Sequence, residues 1–185
     1  MGTEDRFRTC CDFEPSLDYI VTKIPKWDFQ KFEGVDRNLG TQMKSVGEVM
    51  AIGRCFEESL QKAIRCLGFD LLNDKRSNAT GVEEIKDNLK HPTDERIFYI
   101  MSALRLGIAI REITSLSGID AWFLEKMLHL LDIEKGLCQN RLDRELLGEA
   151  KRFGFSDGQI AKCQKTSEDE IRRFRISLGI KPSVK

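Results

Sequence analysis

The sequence is short of the residues that usually mark metal or nucleophilic sites. It has two histidines, His91 and His129, and its six cysteines (Cys10, Cys11, Cys55, Cys66, Cys138, Cys163) include no Cys-x-x-Cys pair. A structural zinc site is therefore not expected. A Cys–His nucleophile could form only if the fold brought distant residues together, and thiols without a chemical role are the simpler reading. Glycines at 34, 40, 47 and 53 fit neither G-x-x-x-x-G-K-[ST] nor G-x-G-x-x-G, so they read as turns rather than as a phosphate-binding loop. Apolar runs are short as well. The best, Ile97–Leu104, ends at Arg105, far from the roughly 20 residues that span a bilayer. The N-terminus has no apolar stretch and carries Glu4 and Asp5 early, unlike a secretion signal or a mitochondrial transit peptide. Neither charge is in excess: 30 Lys+Arg face 30 Asp+Glu, which removes whole-chain attraction to nucleic acid or anionic lipid. These absences predict a soluble, cytoplasmic chain with reduced thiols and no membrane partner.

What is present is enough to fold. The chain has 185 residues, 41% of them hydrophobic, with 14 Gly and 4 Pro, so it is neither low-complexity nor collagen-like. It is long enough for one ordinary domain, or one domain with a fragment attached. The first 67 residues read differently from the rest. Residues 19–24 are rich in β-branched and aromatic side chains and stop at Pro25, which predicts a strand. A second strand is expected at 48–52, between Gly47 and Gly53. Phe56, Leu60, Ala63, Ile64 and Leu67 then recur at helical spacing. Two strands and one helix do not close a core, so this segment reads as a piece of a larger sheet.

From Thr80 onward the pattern is helical. Thr80-Gly81-Val82-Glu83 has capping-box spacing, with Val82, Ile85 and Leu89 along one face until His91-Pro92. Further helices are expected from near Thr93 to Gly107 and over 111–116. Asp120 should cap another helix, with Phe123, Met127 and Leu130/Leu131 inside. Leu142, Leu146, Ala150 and Phe153 mark a helix over 142–153 that stops at Gly154. Ser156-x-x-Gln159 and Ser167-x-x-Glu170 open two more. Six or seven helices joined by short connections, with no fixed repeat, predict one bundle rather than a solenoid.

The remaining chemical signals have bland explanations. The pairs Glu57-Glu58 and Glu83-Glu84 and the run Glu168-Asp169-Glu170 sit in first helical turns, where they favour the helix dipole more readily than a metal. Trp27, Trp122 and the eleven Phe fall mostly at core spacing. Charge is segregated: residues 141–185 hold eleven Lys/Arg and seven Asp/Glu, a net +4, against −4 before them. Helices over 156–163 and 168–177, the second with Arg172, Arg173 and Arg175, sketch a helix-turn-helix. Two capped helices are also what any bundle contains, so nucleic acid is not the expected partner.

Two passages are more specific: Phe13-Glu14-Pro15-Ser16-Leu17-Asp18-Tyr19-Ile20-Val21-Thr22-Lys23-Ile24-Pro25-Lys26-Trp27-Asp28, and Met43-Lys44-Ser45-Val46-Gly47-Glu48-Val49-Met50-Ala51-Ile52-Gly53-Arg54. They closely resemble the large, synthetase part of carbamoyl phosphate synthetase at the end of its first ATP-grasp half. Ile119-Asp120-Ala121-Trp122-Phe123-Leu124 and Gly154-Phe155-Ser156-Asp157-Gly158-Gln159-Ile160-Ala161 resemble the same family's helical oligomerisation domain, which joins the two synthetase halves. The wording is closer to animal-type enzymes, in which the synthetase is often fused to other pyrimidine-pathway domains.

The resemblance implies a mainly α fold: a small α+β fragment of an ATP-grasp domain over 1–67, then a helical oligomerisation domain over 68–185. The family makes carbamoyl phosphate from bicarbonate, glutamine-derived ammonia and two ATP, with magnesium or manganese at its nucleotide sites. Its nucleotide and metal ligands lie upstream of Phe13 and its second half follows Lys185, so this chain is expected to hold no cofactor or catalytic residue of its own. Its implied partners are both ATP-grasp halves, the glutaminase part and further copies of itself. The implied site residue is Glu48, the glutamate of Met-Lys-Ser-Val-Gly-Glu-Val-Met, which in the family lines the tunnel conducting carbamate between sites. From spacing alone Glu48 is a sheet-edge carboxylate with an ionic partner. Two departures stand out: Cys55 where the family usually has the Thr of a capping box, and Asp12 where it often has Cys. The other readings of the chain are a free-standing docking module for the synthetase and the helix-turn-helix DNA binder.

Overall fold

The structure, a computed structural model, describes residues 18–31 and 34–181. Ile20–Lys26 (β1) and Gly47–Gly53 (β2) pair antiparallel, with Ile20 opposite Gly53 and Lys26 opposite Gly47. The two-residue alternation of a strand sorts their side chains. Thr22, Ile24, Val49 and Ala51 face inward; Val21, Lys23, Met50 and Ile52 face outward and are exposed. Strand β1 runs through Pro25, where the sequence predicts a stop. In a two-stranded ribbon each strand keeps a free edge, so the missing N–H of proline breaks no pairing.

Helix α1 (Phe56–Cys66) covers the inner face. Ser59 Oγ lies 2.7 Å from Thr22 Oγ1, and Lys62 Nζ donates to the Ile52 carbonyl at 3.1 Å. Its apolar residues Leu60 and Ile64 are 3% and 2% exposed and belong to the main core, so the helix serves the sheet and the bundle together.

Seven helices follow among the described residues: α2 (Val82–Lys90), α3 (Arg96–Arg105), α4 (Ile110–Ser117), α5 (Ala121–Gln139), α6 (Arg144–Arg152), α7 (Asp157–Gln164) and α8 (Glu168–Ser177). The fold is mainly helical with one small antiparallel sheet. The centre is α5, which buries Leu124, Met127, Leu130, Leu131, Ile133 and Leu137 and touches α1, α3, α4, α6 and α7. Burial around so much of its circumference is the pattern of a central helix. Among the described residues no helix is long and apolar enough to cross a membrane.

The start signals at Asp120, Ser156 and Ser167 act as the sequence predicts, the two serines in complete capping boxes with Gln159 and Glu170. Other expectations need correction. Gly81, not Thr80, stands at the start of α2 without a side-chain cap, which shifts the frame by one residue and leaves Glu84 to accept from the Tyr99 hydroxyl at 3.0 Å. In α5 the inward residue is Leu124; Phe123 is 42% exposed and stacks with Trp122 and Phe56. In α6 the fully buried leucine is Leu147, while Leu146 is only half-buried. The aromatic residues as a class are less internal than their spacing suggests: Phe69, Trp122, Phe123 and Phe174 are all substantially exposed. Arg76, in the short helical turn Lys75–Asn78 that the sequence reading missed, lies over the Phe98 ring at 3.8 Å.

Candidate functional site

Glu48 sits near the start of β2, opposite Pro25, on the outward face of the ribbon. Its Oε2 lies 2.9 Å from Lys23 Nζ, its diagonal neighbour on β1, and both side chains are about 60% exposed. Around this pair the outer face presents Tyr19, Val21, Met50 and Ile52, all more than 40% exposed. Among the described residues the ribbon therefore has one wall built against α1 and another that is exposed and largely apolar, carrying the Lys23–Glu48 pair. At the far end of β2, a Cβ on Gly53 would meet the Ser59 backbone nitrogen at 2.8 Å, so glycine is what lets the strand touch the first turn of α1.

The adjacent acids of that first turn do different work. Glu58 accepts from the Arg54 backbone N–H at 2.8 Å and from Lys62 at 2.5 Å. Burial opposes its ionisation, but these bonds outweigh it and hold its carboxyl below the usual range. Glu57 is 1% exposed and turns inward, with His129 Nδ1 of α5 at 3.0 Å and Lys126 Nζ at 3.8 Å. With a carboxylate accepting, the imidazole proton is on Nδ1. The His129 ring also meets Phe153 edge-on, centroids 4.5 Å apart. By sequence Glu57 reads as a helix-dipole acid; the signal for its inward turn is its position three residues before Leu60, on the buried stripe of α1.

A second polar network fastens α1 to the C-terminal helices. Gln61, 1% exposed, donates to the Phe153 carbonyl at 2.9 Å and accepts from Gln159 at 3.1 Å. Gln159 and Lys162 both donate to Asp70, at 2.9 and 3.1 Å. Arg65 donates to the Gly154 carbonyl at 2.8 Å. Asp157 takes Lys151 at 2.8 Å and Arg175 at 3.1 Å. Burial pushes the Asp157 carboxyl up, and the two cations more than compensate, so it stays below the ordinary range. Arg175 is thus committed inside the bundle, and of the three arginines of the sketched helix-turn-helix only Arg172 and Arg173 are exposed.

The fold places no thiol against an imidazole among the described residues. Cys55 lies beside Glu57 and Glu58; burial pushes its thiol up, the Glu58 backbone N–H opposes this and the two carboxylates add to it, so the net rise disfavours a thiolate nucleophile. Cys163 neighbours Cys138, and burial with that contact pushes it up to about 12. Cys10, Cys11 and Asp12 lie outside the described residues. No three His, Cys, Asp or Glu side chains among the described residues converge as a metal site.

The family description "Carbamoyl-phosphate synthetase large chain, oligomerisation domain" matches residues 48–179. The carbamoyl phosphate synthase large chain of Caldanaerobacter subterraneus subsp. tengcongensis is 46% identical over 180 residues, covering 96% of this chain and 17% of that protein. The chain belongs to the carbamoyl phosphate synthetase large-chain family. The multifunctional protein pyrABCN of Emericella nidulans is 47% identical over 180 residues, 96% of this chain and 8% of that protein. The carbamoyl phosphate synthase large chain, N-terminal section, of Aquifex aeolicus is 45% identical over 179 residues, 96% of this chain and 32% of that protein. The chain therefore spans 17% of the length of bacterial large chains such as the first of these. The oligomerisation-domain match opens at Glu48 itself and takes in β2 and α1, which agrees with the packing of α1 into the helical core. Cys55 stands at the start of α1 in extended conformation and makes no side-chain cap bond.

Proposed function

We propose that this chain is the seam of a carbamoyl phosphate synthetase, joining two ATP-grasp halves, and has no catalysis of its own. In this reading residues 1–67 are the end of the first ATP-grasp domain and residues 68–185 the oligomerisation domain, against whose core α1 packs. The parent synthetase supplies the ligase chemistry: bicarbonate, glutamine-derived ammonia and two ATP with magnesium or manganese, feeding pyrimidine and arginine pathways. The partners are the two ATP-grasp halves, the glutaminase part and further copies of the chain, in the cytoplasm.

The observation that carries the reading is the two-faced ribbon. Its inner wall is stitched to α1 by Thr22–Ser59 and Lys62–Ile52, whereas its outer wall shows Val21, Met50 and Ile52 to solvent around the Lys23–Glu48 pair. A two-stranded ribbon is marginal alone, and a bare apolar face calls for a further layer. Glu48 on that face is then a polar residue of an otherwise apolar tunnel wall, past which carbamate moves without meeting bulk water. In a complete synthetase, Glu48→Ala should leave bicarbonate-dependent ATP hydrolysis running while carbamoyl phosphate formed per ATP falls. An unchanged ratio removes Glu48 from the tunnel.

A further inference from the structure

The charge segregation of the sequence has a destination in the fold. A groove of about 650 Å³ runs between α1, the end of α6 with the turn that follows it, and the segment 175–181. Six cations line it: Lys62 and Arg65 from α1, and Lys151, Arg152, Arg175 and Lys181 from the basic C-terminal part. Among the described residues two acids share the lining, Glu58 and Asp157, and both already hold partners. Glu58 holds Lys62 at 2.5 Å and the Arg54 N–H at 2.8 Å; Asp157 holds Lys151 and Arg175.

The surplus is four positive charges in one concavity of a chain whose formal net charge is zero. Arg65 spends Nη1 on the Gly154 carbonyl, and its Nε and Nη2 have no hydrogen-bond partner among the described residues. Asp70, which acts on it electrostatically, is itself bound by Gln159 and Lys162. Burial pulls both Arg65 and Lys151 below their ordinary range, as happens to cations whose charge is incompletely matched. Arg152 and Lys181 stand exposed at the rim with no partner among the described residues. Low-dielectric walls bearing one sign of charge focus the field into the cleft.

We propose that this groove binds a small multivalent anion bearing phosphate groups. Its volume falls within the roughly 300–1,000 Å³ of small-ligand sites. The guanidinium forks of Arg65 and Arg152 suit phosphate oxygens, and the ammonium of Lys181 adds an adaptable point charge. The cations converge from three separate elements on one hollow instead of running along a flat face, which fits a compact ligand better than an extended acidic chain. The site excludes Glu48, and the inference does not rest on the synthetase reading.

The test is calorimetric titration of the 185-residue chain with inorganic pyrophosphate at low ionic strength, about 50 mM, where screening is modest. The expected result is one saturable site per chain that weakens at high salt. It should weaken at least tenfold, roughly one charge-assisted contact, in the double variant Arg152→Gln/Lys181→Gln. That pair makes no bonds among the described residues, so circular dichroism should be unchanged. Absence of saturable heat, or equal affinity in the double variant, overturns the proposal. Tighter binding of hexa-aspartate than of pyrophosphate also overturns it and assigns the groove to an acidic protein segment.

Discussion

Gly154 lies directly on the backbone of Glu58: a Cβ at residue 154 would stand 2.9 Å from the Glu58 Cα and 3.2 Å from its carbonyl oxygen. Here the turn after α6 and the first half of α1 approach too closely for any side chain. The same residue has φ +90°, a conformation that glycine adopts without strain. The Arg65 and Gln61 bonds to the 153–154 carbonyls, at 2.8 and 2.9 Å, hold the two segments at this distance.

Gly154→Ala should therefore cost about 2–4 kcal/mol, combining backbone strain with overpacking against an immovable main chain. Gly148→Ala is the control, because it lies inside α6 with nothing within 4 Å of the added Cβ. It should be neutral or stabilising by about 0.5–1 kcal/mol. Urea unfolding of both variants separates the two outcomes, and equal losses would mean that the close approach is not what matters.

Glu57→Ala removes the partner of His129 from a site where the carboxylate is 1% exposed. The loss should be about 3 kcal/mol, as for a broken buried pair. His129→Ala should cost less, since the ring is 37% exposed and can meet water. Thermal denaturation with the order reversed would argue that the Phe153 stacking, and not the ion pair, holds this junction.

Acid should loosen the contact that Asp70, just after α1, makes with α7. Burial pushes the Asp70 carboxyl up, but bonds from Gln159, Asn73 and Lys162 outweigh it and bring it below its usual 3.8. A carboxyl depressed in the folded state stabilises above the unfolded-state value and loses that contribution as pH falls through the folded one. Stability should fall below about pH 4, and Asp70→Asn should flatten that limb while lowering stability at neutral pH. Glu134 works in the opposite sense, because burial raises its carboxyl despite Arg105 at 2.6 Å. Unfolding free energies from pH 3 to 7, with an unaltered slope in Asp70→Asn, would move the acid sensitivity elsewhere.

Cys55→Thr should stabilise the chain by about 1 kcal/mol. The residue already has the extended conformation of an N-cap, φ −136° and ψ 164°, but its sulfur is a weak acceptor that makes no cap hydrogen bond, where threonine offers an oxygen. Differential scanning calorimetry showing no rise in midpoint would mean that the Glu58–Arg54 bond already satisfies this helix end.

Elements governed by local rules were legible in the sequence, and those governed by tertiary packing were not. Ser156 and Ser167 with their Gln and Glu partners carry the whole signal of a capping box within four residues, so both helices start where expected. Thr80 carries the same letters but is not used, because Gly81 takes the extended position in its place. The choice between Phe123 and Leu124 depends on which face α5 turns to its neighbours, a rotation that spacing constrains only loosely. At the candidate site, position 48 was readable from the motif, and its Lys23 partner follows from the strand register. The Glu57–His129 pair and the cationic groove join residues 72 or more positions apart, or three separate elements, and no local pattern encodes such meetings.

The Gln61–Gln159 bond spans 98 residues. Closing so long a loop is entropically costly and tends to come late in folding. During synthesis, α1 has no mate for Gln61 or Arg65 until the ribosome has released residues 153–159. The C-terminal helices therefore complete the seating of α1: a stall or truncation before Phe153 should leave Gln61 and Arg65 open to water while Glu57 still meets His129 of α5.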